Sequence, residues 1–218
     1  MSGAAKRPSR PYAGRSAEER RADRRRRLLD AGLELFGAGP GYRTSSVPAL
    51  CARADLSTRQ FYEEFRNLED ALTVLYQESH RGMEEAVIAA LGEVAEDSGL
   101  ERVAAAFGAC ASAAAADPRR MRIMFVEVVG VSPDLERRRL QTRVRWAELL
   151  LAQLAVAAER GEIAARDYRL TAFAFLSAVN GLLYSWSAGA VEATLDQIQD
   201  ELMRFFLGVF GSPGRKPA

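Results

Sequence analysis

Residues 47–65, VPALCARADLSTRQFYEEF, decide how the chain is read. Val47 and Leu50 give a first short helix an apolar face, and Ala54 is the small side chain where two helices can cross. Asp55-Leu56 reads as the turn. Ser57 reads as the N-cap of a second helix, its hydroxyl placed to accept from an orphan N–H of the first turn. Phe61 and Phe65, four apart, turn that helix's apolar side inward and leave Thr58, Arg59 and Gln60 facing out from its N-terminal end. This is the helix-turn-helix arrangement, whose second helix enters a DNA major groove N-terminal end first. Any small helical protein also contains a helix, a short turn and a helix, so the stretch alone leaves DNA binding and plain packing both open.

The flanks narrow the choice. Upstream lies RLLDAGLELFGAGPGYRTSSV, residues 27–47, and downstream NLEDAL, residues 67–72. With the middle stretch these residues resemble the DNA-binding domain of the tetracycline-repressor (TetR) family. The resemblance runs through Leu35-Phe36, Gly41-Tyr42, Thr44, Ala54, Ser57, Phe61-Tyr62, Phe65 and Glu69 in order and spacing. It implies an all-α fold: an N-terminal three-helix helix-turn-helix DNA-binding domain followed by a larger helical ligand-binding and dimerisation domain. It further implies a homodimeric repressor of a double-stranded, palindromic DNA operator, released by a small-molecule effector. In such a mechanism the ligand favours a conformer whose recognition helices no longer match adjacent major grooves, about 34–36 Å apart.

The resemblance also makes Tyr42, Thr44 and Tyr62 phosphate contacts, which fix register without reading sequence. Ser45 and Ser57 join them at the edges of the motif. Arg59 is the candidate for base readout, since a guanidinium can bind guanine O6 and N7 together, Gln60 suits adenine, and Thr58 a thymine methyl or a phosphate. Three positions depart from the family pattern. Asp55 stands where the turn usually has Gly, which Asp tolerates because it visits the left-handed region more readily than most residues. Glu64 and Leu68 replace the usual phosphate-contacting His and Lys, so positive charge has to come from elsewhere.

Charge distribution points to a source. Residues 1–27 hold ten basic side chains against three acidic, although the whole chain carries a formal net charge of only +1. Residues 28–72 hold four arginines against seven acidic side chains. Residues 1–15, with Pro8, Pro11, Gly14 and almost no apolar side chain, read as a disordered basic arm. Ser16 with Glu19 fits a capping box, so the first helix is expected from near Ala17 to about Phe36. Arg24 and Arg25 on that helix are candidate DNA contacts; a solvated, solubilising face is the alternative. The arm could also reach a minor groove.

A chain of 218 residues, 48% apolar, has ample material for a buried core beside a small reading domain. No run approaches the roughly 20 apolar residues of a membrane span and no signal-peptide pattern opens the chain, so a soluble cytoplasmic protein with no membrane partner is expected. Cys51 and Cys110 fall in different helices without nearby Cys or His, which argues against zinc and against a disulfide framework. Buried packing is the expectation for Cys51. A single histidine, no Gly-rich phosphate loop and no nucleophile–base constellation argue against an enzyme, so neither catalytic residues nor a metal or cofactor is expected. A helical interaction module that no longer binds DNA remains an alternative from a different class.

Organisation is expected as an arm over 1–15, a DNA-binding domain over 16–72, an effector-binding and dimerisation domain over 73–211 and a flexible tail over 212–218. Thr44 or Ser45 is expected to cap the second helix, with Pro48 in its first turn. Beyond Leu68 the period is helical throughout, the fourth helix running to about Glu96 and later helices starting at Pro118 and Pro133. A ligand pocket is expected among helices four to eight, with Tyr76, Met83, Phe107, Met121, Met124, Phe125, Trp146 and Phe173 as its Met and aromatic candidates. For each of these, core packing is the competing reading. With so few polar groups among them, the effector should be hydrophobic or aromatic, and His80 should be solvated.

The last two helices are too apolar for one subunit to cover. The eighth is apolar nearly all round, and the ninth repeats Leu195, Ile198, Leu202, Phe205 and Val209 at coiled-coil spacing. Together with Phe173, Asn180 and Tyr184 these side chains are expected to form a two-fold, four-helix dimer interface.

Overall fold

The structure, a computed structural model, describes residues 16–96 and 98–210. The arm expected over 1–15 and the tail expected over 212–218 lie outside the described residues. Among the described residues there are nine α-helices and no strand: α1 (Ala17–Gly37), α2 (Val47–Ala54), α3 (Thr58–Glu64), α4 (Leu68–Gly92), α5 (Gly99–Ala116), α6 (Pro118–Arg122), α7 (Pro133–Glu159), α8 (Arg169–Ser187) and α9 (Leu195–Phe210). A 3₁₀ turn (Tyr42–Thr44) precedes α2, and α6 runs on into a π turn (Ile123–Glu127). The fold is all-α, a three-helix helix-turn-helix unit followed by a larger helical part.

Side-chain caps set most helix starts. Ser16 and Glu19 form the expected capping box. Ser57 and Gln60 form a second at α3, and the Ser132 hydroxyl accepts from the Leu135 N–H in α7. Asn67 caps α4 through the Asp70 N–H. Ser46, not Thr44 or Ser45, caps α2: the hydroxyls of Thr44 and Ser45 are turned back onto the Gly41 carbonyl by the 3₁₀ turn. Asp55 closes α2 in the left-handed region with φ 51°, the conformation the turn demands. α4 stops at Gly92, short of Glu96, because Arg102 donates to the carbonyls of Leu91 and Val94 at 2.9 and 3.1 Å and so satisfies its last turn from outside.

Two main cores follow. Leu28, Phe36, Leu50, Phe61, Leu72 and Leu75 pack the helix-turn-helix unit, and Ile123, Val128 and Leu135 from beyond α5 belong to the same core. The second core brings Phe175 of α8 together with Phe206 and Phe210 of α9, ring centroids 4.8–5.7 Å apart, over Val103, Leu154 and Ala157.

α9 therefore departs from the expected arrangement. Ile198, Leu202, Phe206 and Phe210 are buried within the chain, Leu195 and Val209 are half-buried, and Phe205 is left outward. The reason lies in α5 and α8, which pack against α9 within the same chain. The exposed apolar side chains in this region are Leu170, Phe173 and Tyr184 on α8 and Phe205 and Leu207 on α9.

Candidate functional site

The polar end of α3 is built by its own first turn. The Ser57 hydroxyl accepts from the Gln60 N–H at 3.3 Å, and the Gln60 Oε1 accepts from the Ser57 N–H at 2.9 Å. Ser57 and the carboxamide oxygen of Gln60 thus hold the helix start, leaving the Gln60 amino group as its free end. Thr58 is exposed beside them. Arg59 is 90% exposed, and among the described residues its one close anion is the Glu63 carboxylate at 3.5 Å. Such a side chain is anchored loosely enough to turn onto a base edge. Tyr62 stands 61% exposed with its ring edge-on to Phe61 at 5.3 Å, so packing fixes the ring and solvent receives the hydroxyl.

Tyr42, Thr44 and Ser45 flank α3 from the preceding turn. The Tyr42 ring is half-buried edge-on against Phe36 at 5.7 Å, and burial pushes its phenol up, with Glu69 adding to the effect. The Thr44 hydroxyl donates to the Pro40 carbonyl at 2.8 Å and the Ser45 hydroxyl to the Gly41 carbonyl at 2.7 Å. The candidates Tyr42, Thr44, Ser45, Thr58, Arg59, Gln60 and Tyr62 all belong to α3 or to the turn that leads into α2.

Arg24 and Arg25 do not stand free beside them. The Glu64 side chain is fully buried, and its carboxylate accepts from Arg21 Nε and Arg24 Nη2, each at 3.2 Å. Arg24 is also 3.6 Å from the Glu63 carboxylate, while its Nε is buried with no partner. Arg25 donates to the Glu64 carbonyl at 3.2 Å and lies 4.7 Å above the Phe65 ring. Arg27 donates to the carbonyls of Ala54 and Asp55 at 2.7 and 2.8 Å. Arg21, Arg24, Arg25 and Arg27 therefore dock α1 against α2, α3 and the turn between them. Leu68, the other departure, is half-buried against the same core.

The larger part encloses a cavity of about 180 Å³ walled by α4 to α9. The candidates Tyr76, Met83, Phe107, Met121, Met124, Phe125 and Trp146 line it. Phe173 does not: it points out of the bundle, and Phe175, two residues on, takes the inward place. Leu195, Ile198, Leu202 and Asn180, expected at a subunit seam, line the cavity. The Asn180 amide donates to the Leu176 carbonyl at 2.7 Å, which leaves its oxygen for other partners.

His80 is buried, not solvated, and also lines the cavity. Its ring meets Tyr76 edge-on at 4.5 Å, and its Nδ1 accepts from Trp146 Nε1 at 3.4 Å, which puts the proton on Nε2. Burial, reinforced by Arg145 and Arg139, pushes its pKa down to about 3, so the ring is neutral at physiological pH. Burial pushes the Tyr76 phenol up and the Cys110 thiol up to about 12, and neither carries charge in the cavity at neutral pH.

A short path joins the cavity to the helix-turn-helix unit. Met121, Met124 and Phe125 of α6 and the π turn line the cavity, and Glu127 closes the same turn. The Glu127 carboxylate is nearly buried and accepts from the Tyr42 N–H at 2.7 Å and from Arg122 Nε at 2.8 Å. Gly41, with φ 94°, lets the backbone approach: a Cβ there would lie 3.0 Å from both Glu127 oxygens. At the end of α1 a Cβ on Gly37 would fall 2.6 Å from Arg119 Cβ and 2.7 Å from the Arg119 carbonyl oxygen, so α6 rests directly on that helix.

Residues 96–210, more than half of the chain, match the family model described as Tetracyclin repressor-like, C-terminal domain. The chain belongs to the TetR family. The fatty acid degradation regulator FadR from Bacillus halodurans shares its fold with TM-score 0.74 and 18% identity, over 85% of this chain and 95% of that one. FadR from Bacillus subtilis, solved with stearoyl-CoA, gives 0.72 and 18% over 84% and 98%. AibR, solved with isovaleryl coenzyme A and operator DNA, gives 0.66 and 20% over 84% and 97%. No curated protein matches the chain. As a member of the TetR family the chain is a transcriptional regulator, and among its described residues no helix is long and apolar enough to cross a membrane.

Reading this TetR-family sequence alone misses Glu127, Arg139, Arg143, Phe175 and the burial of His80. The periodicity of α7 does place Trp146, Leu150 and Leu154 inward. The arginines at 139 and 143 lie on the same side, where a hydropathy pattern reads only a charged face.

Proposed function

We propose that the chain is a homodimeric repressor that leaves a palindromic operator when a small, predominantly hydrophobic effector fills the cavity. Residues 16–72 would read DNA and residues 73–211 would hold the effector and the partner subunit. The observation that carries this reading is the physical link: one turn supplies Met124 and Phe125 to the cavity wall and Glu127 to the N–H of Tyr42, the residue that opens the approach to α2. A ligand that widens the wall at Met124 displaces the group that holds Tyr42. A thousandfold loss of operator affinity requires about 4 kcal/mol of differential ligand binding to the two conformers.

On the DNA side, Arg59, the Gln60 amino group and Thr58 would face base edges, with Tyr42, Thr44 and Tyr62 on phosphates. The acyl-CoA ligands of FadR and AibR make an acyl thioester a reasonable effector to try first. The dimer face would be the outward side of α8 and α9, where Leu170, Phe173, Tyr184, Phe205 and Leu207 stand exposed.

Selection of genomic fragments on the purified protein, followed by sequencing, tests the proposal. An enriched palindrome with half-sites about one helical turn apart is the expected result. Fragments bound without a shared sequence and lost at moderate salt would refute specific recognition and leave a helical interaction module. Light scattering at micromolar concentration should give twice the chain mass; a monomer would refute the dimer.

A further inference from the structure

The cavity wall carries two arginines, Arg139 and Arg143, and no acidic side chain. They stand four apart on α7 and so share one face of the helix. Glu136, outside this cavity, answers Arg139 at 2.5 Å. Arg143, half-buried, has no hydrogen bond or ion pair among the described residues. A guanidinium held against hydrocarbon without a counter-charge is costly, and an anion removes that cost. His80 is on the same wall with its Nε2–H as a donor and no charge of its own. The remaining wall is overwhelmingly aliphatic, aromatic and Met.

We propose that Arg139 and Arg143 bind the anionic end, carboxylate or phosphate, of an amphiphilic effector whose apolar body fills the cavity. This rests on the effector reading above and names the class of ligand it requires. Arg143 supplies the uncompensated charge. Arg139, already shared with Glu136, supplies the second donor when the anion arrives. A neutral hydrocarbon would fill the apolar volume and leave Arg143 as it is, so the site discriminates by charge at one end.

Calorimetric titration of the full-length protein with decanoic acid, 1-decanol and decanoyl-CoA tests this, using wild type, Arg143→Met and Arg139→Gln. A charge-assisted hydrogen bond is worth tenfold or more in affinity, so decanoate should bind about tenfold or more tighter than decanol. Arg143→Met should abolish that preference, and a circular dichroism spectrum matching wild type shows that the variant is folded. If only decanoyl-CoA binds, and depends on Arg143, the anion is a phosphate and the charged site stands. Equal binding of acid and alcohol, or a preference that survives in both variants, overturns the charged site and leaves the effector cavity intact. No binding by any of the three overturns both.

Discussion

Glu64→Gln should weaken the fold and strengthen DNA binding at the same time. The wild-type carboxylate is fully buried and holds two guanidinium groups at 3.2 Å. Removing one member of a buried ion pair costs about 3–5 kcal/mol. Arg21, with 66% of its side chain exposed, will rehydrate, so its share is at most about 1 kcal/mol. Arg24, 24% exposed, cannot rehydrate as easily and keeps only Glu63 at 3.6 Å. The glutamine oxygen retains one hydrogen bond, worth about 1 kcal/mol. The net expectation is a loss of about 2 kcal/mol, read by urea denaturation at fixed protein concentration. The freed positive charge lies beside the reading helix, so the slope of log K against log salt should steepen by up to about 0.9 for one further phosphate. Unchanged stability together with an unchanged slope would refute the assignment of Glu64 as the anchor of the α1 arginines.

Arg59→Ala should cost about 1–3 kcal/mol on the selected operator and relax preference at one base pair; an equal loss on all sequences would make it a phosphate contact. His80 gives the fold an acid sensitivity. Its folded-state pKa of about 3 lies below the ordinary 6.5, so the unfolded chain binds the extra proton between those values and stability falls as pH drops through that window. At pH 5 the penalty is about 2 kcal/mol, and His80→Phe should shrink the difference in unfolding free energy between pH 7.5 and pH 5, read by urea denaturation, by that amount. Gly37→Ala should lower stability by about 1–3 kcal/mol, because its methyl meets the Arg119 backbone and α1 must move off α6; a neutral effect in urea denaturation would contradict that contact.

Local chemistry made the reading head legible in the sequence. Ser16-Glu19, Ser57 and Pro48 act within one helical turn, and Asp55 in the left-handed region is dictated by a turn two residues long. The cavity was half legible. Apolar period places Tyr76, Met83, Phe107 and Trp146 inward, but whether they touch each other or enclose space depends on how distant helices cross. On α9 the coiled-coil spacing of Leu195, Ile198 and Leu202 fits a partner helix, and α5 and α8 of the same chain pack against it. In the sequence Glu64 shows only as a missing phosphate contact, since its partners Arg21 and Arg24 are some forty residues away. Glu127 carries no signal in its neighbours: its meaning comes from Tyr42, 85 residues earlier.

The shared core has a consequence for how such regulators could be recombined. Ile123, Val128 and Leu135 pack with Leu28, Phe36, Leu50 and Leu72 as one body. A crossover near residue 72, the natural place to exchange one reading head for another, would therefore divide a single hydrophobic interior between two parents. Each chimera would inherit one half of a fitted surface, with Arg119 against a foreign α1 and Glu127 beneath a foreign Tyr42. Exchange should succeed where α6 and the π turn travel with the head they touch, so the modular unit of this protein is discontinuous along the chain.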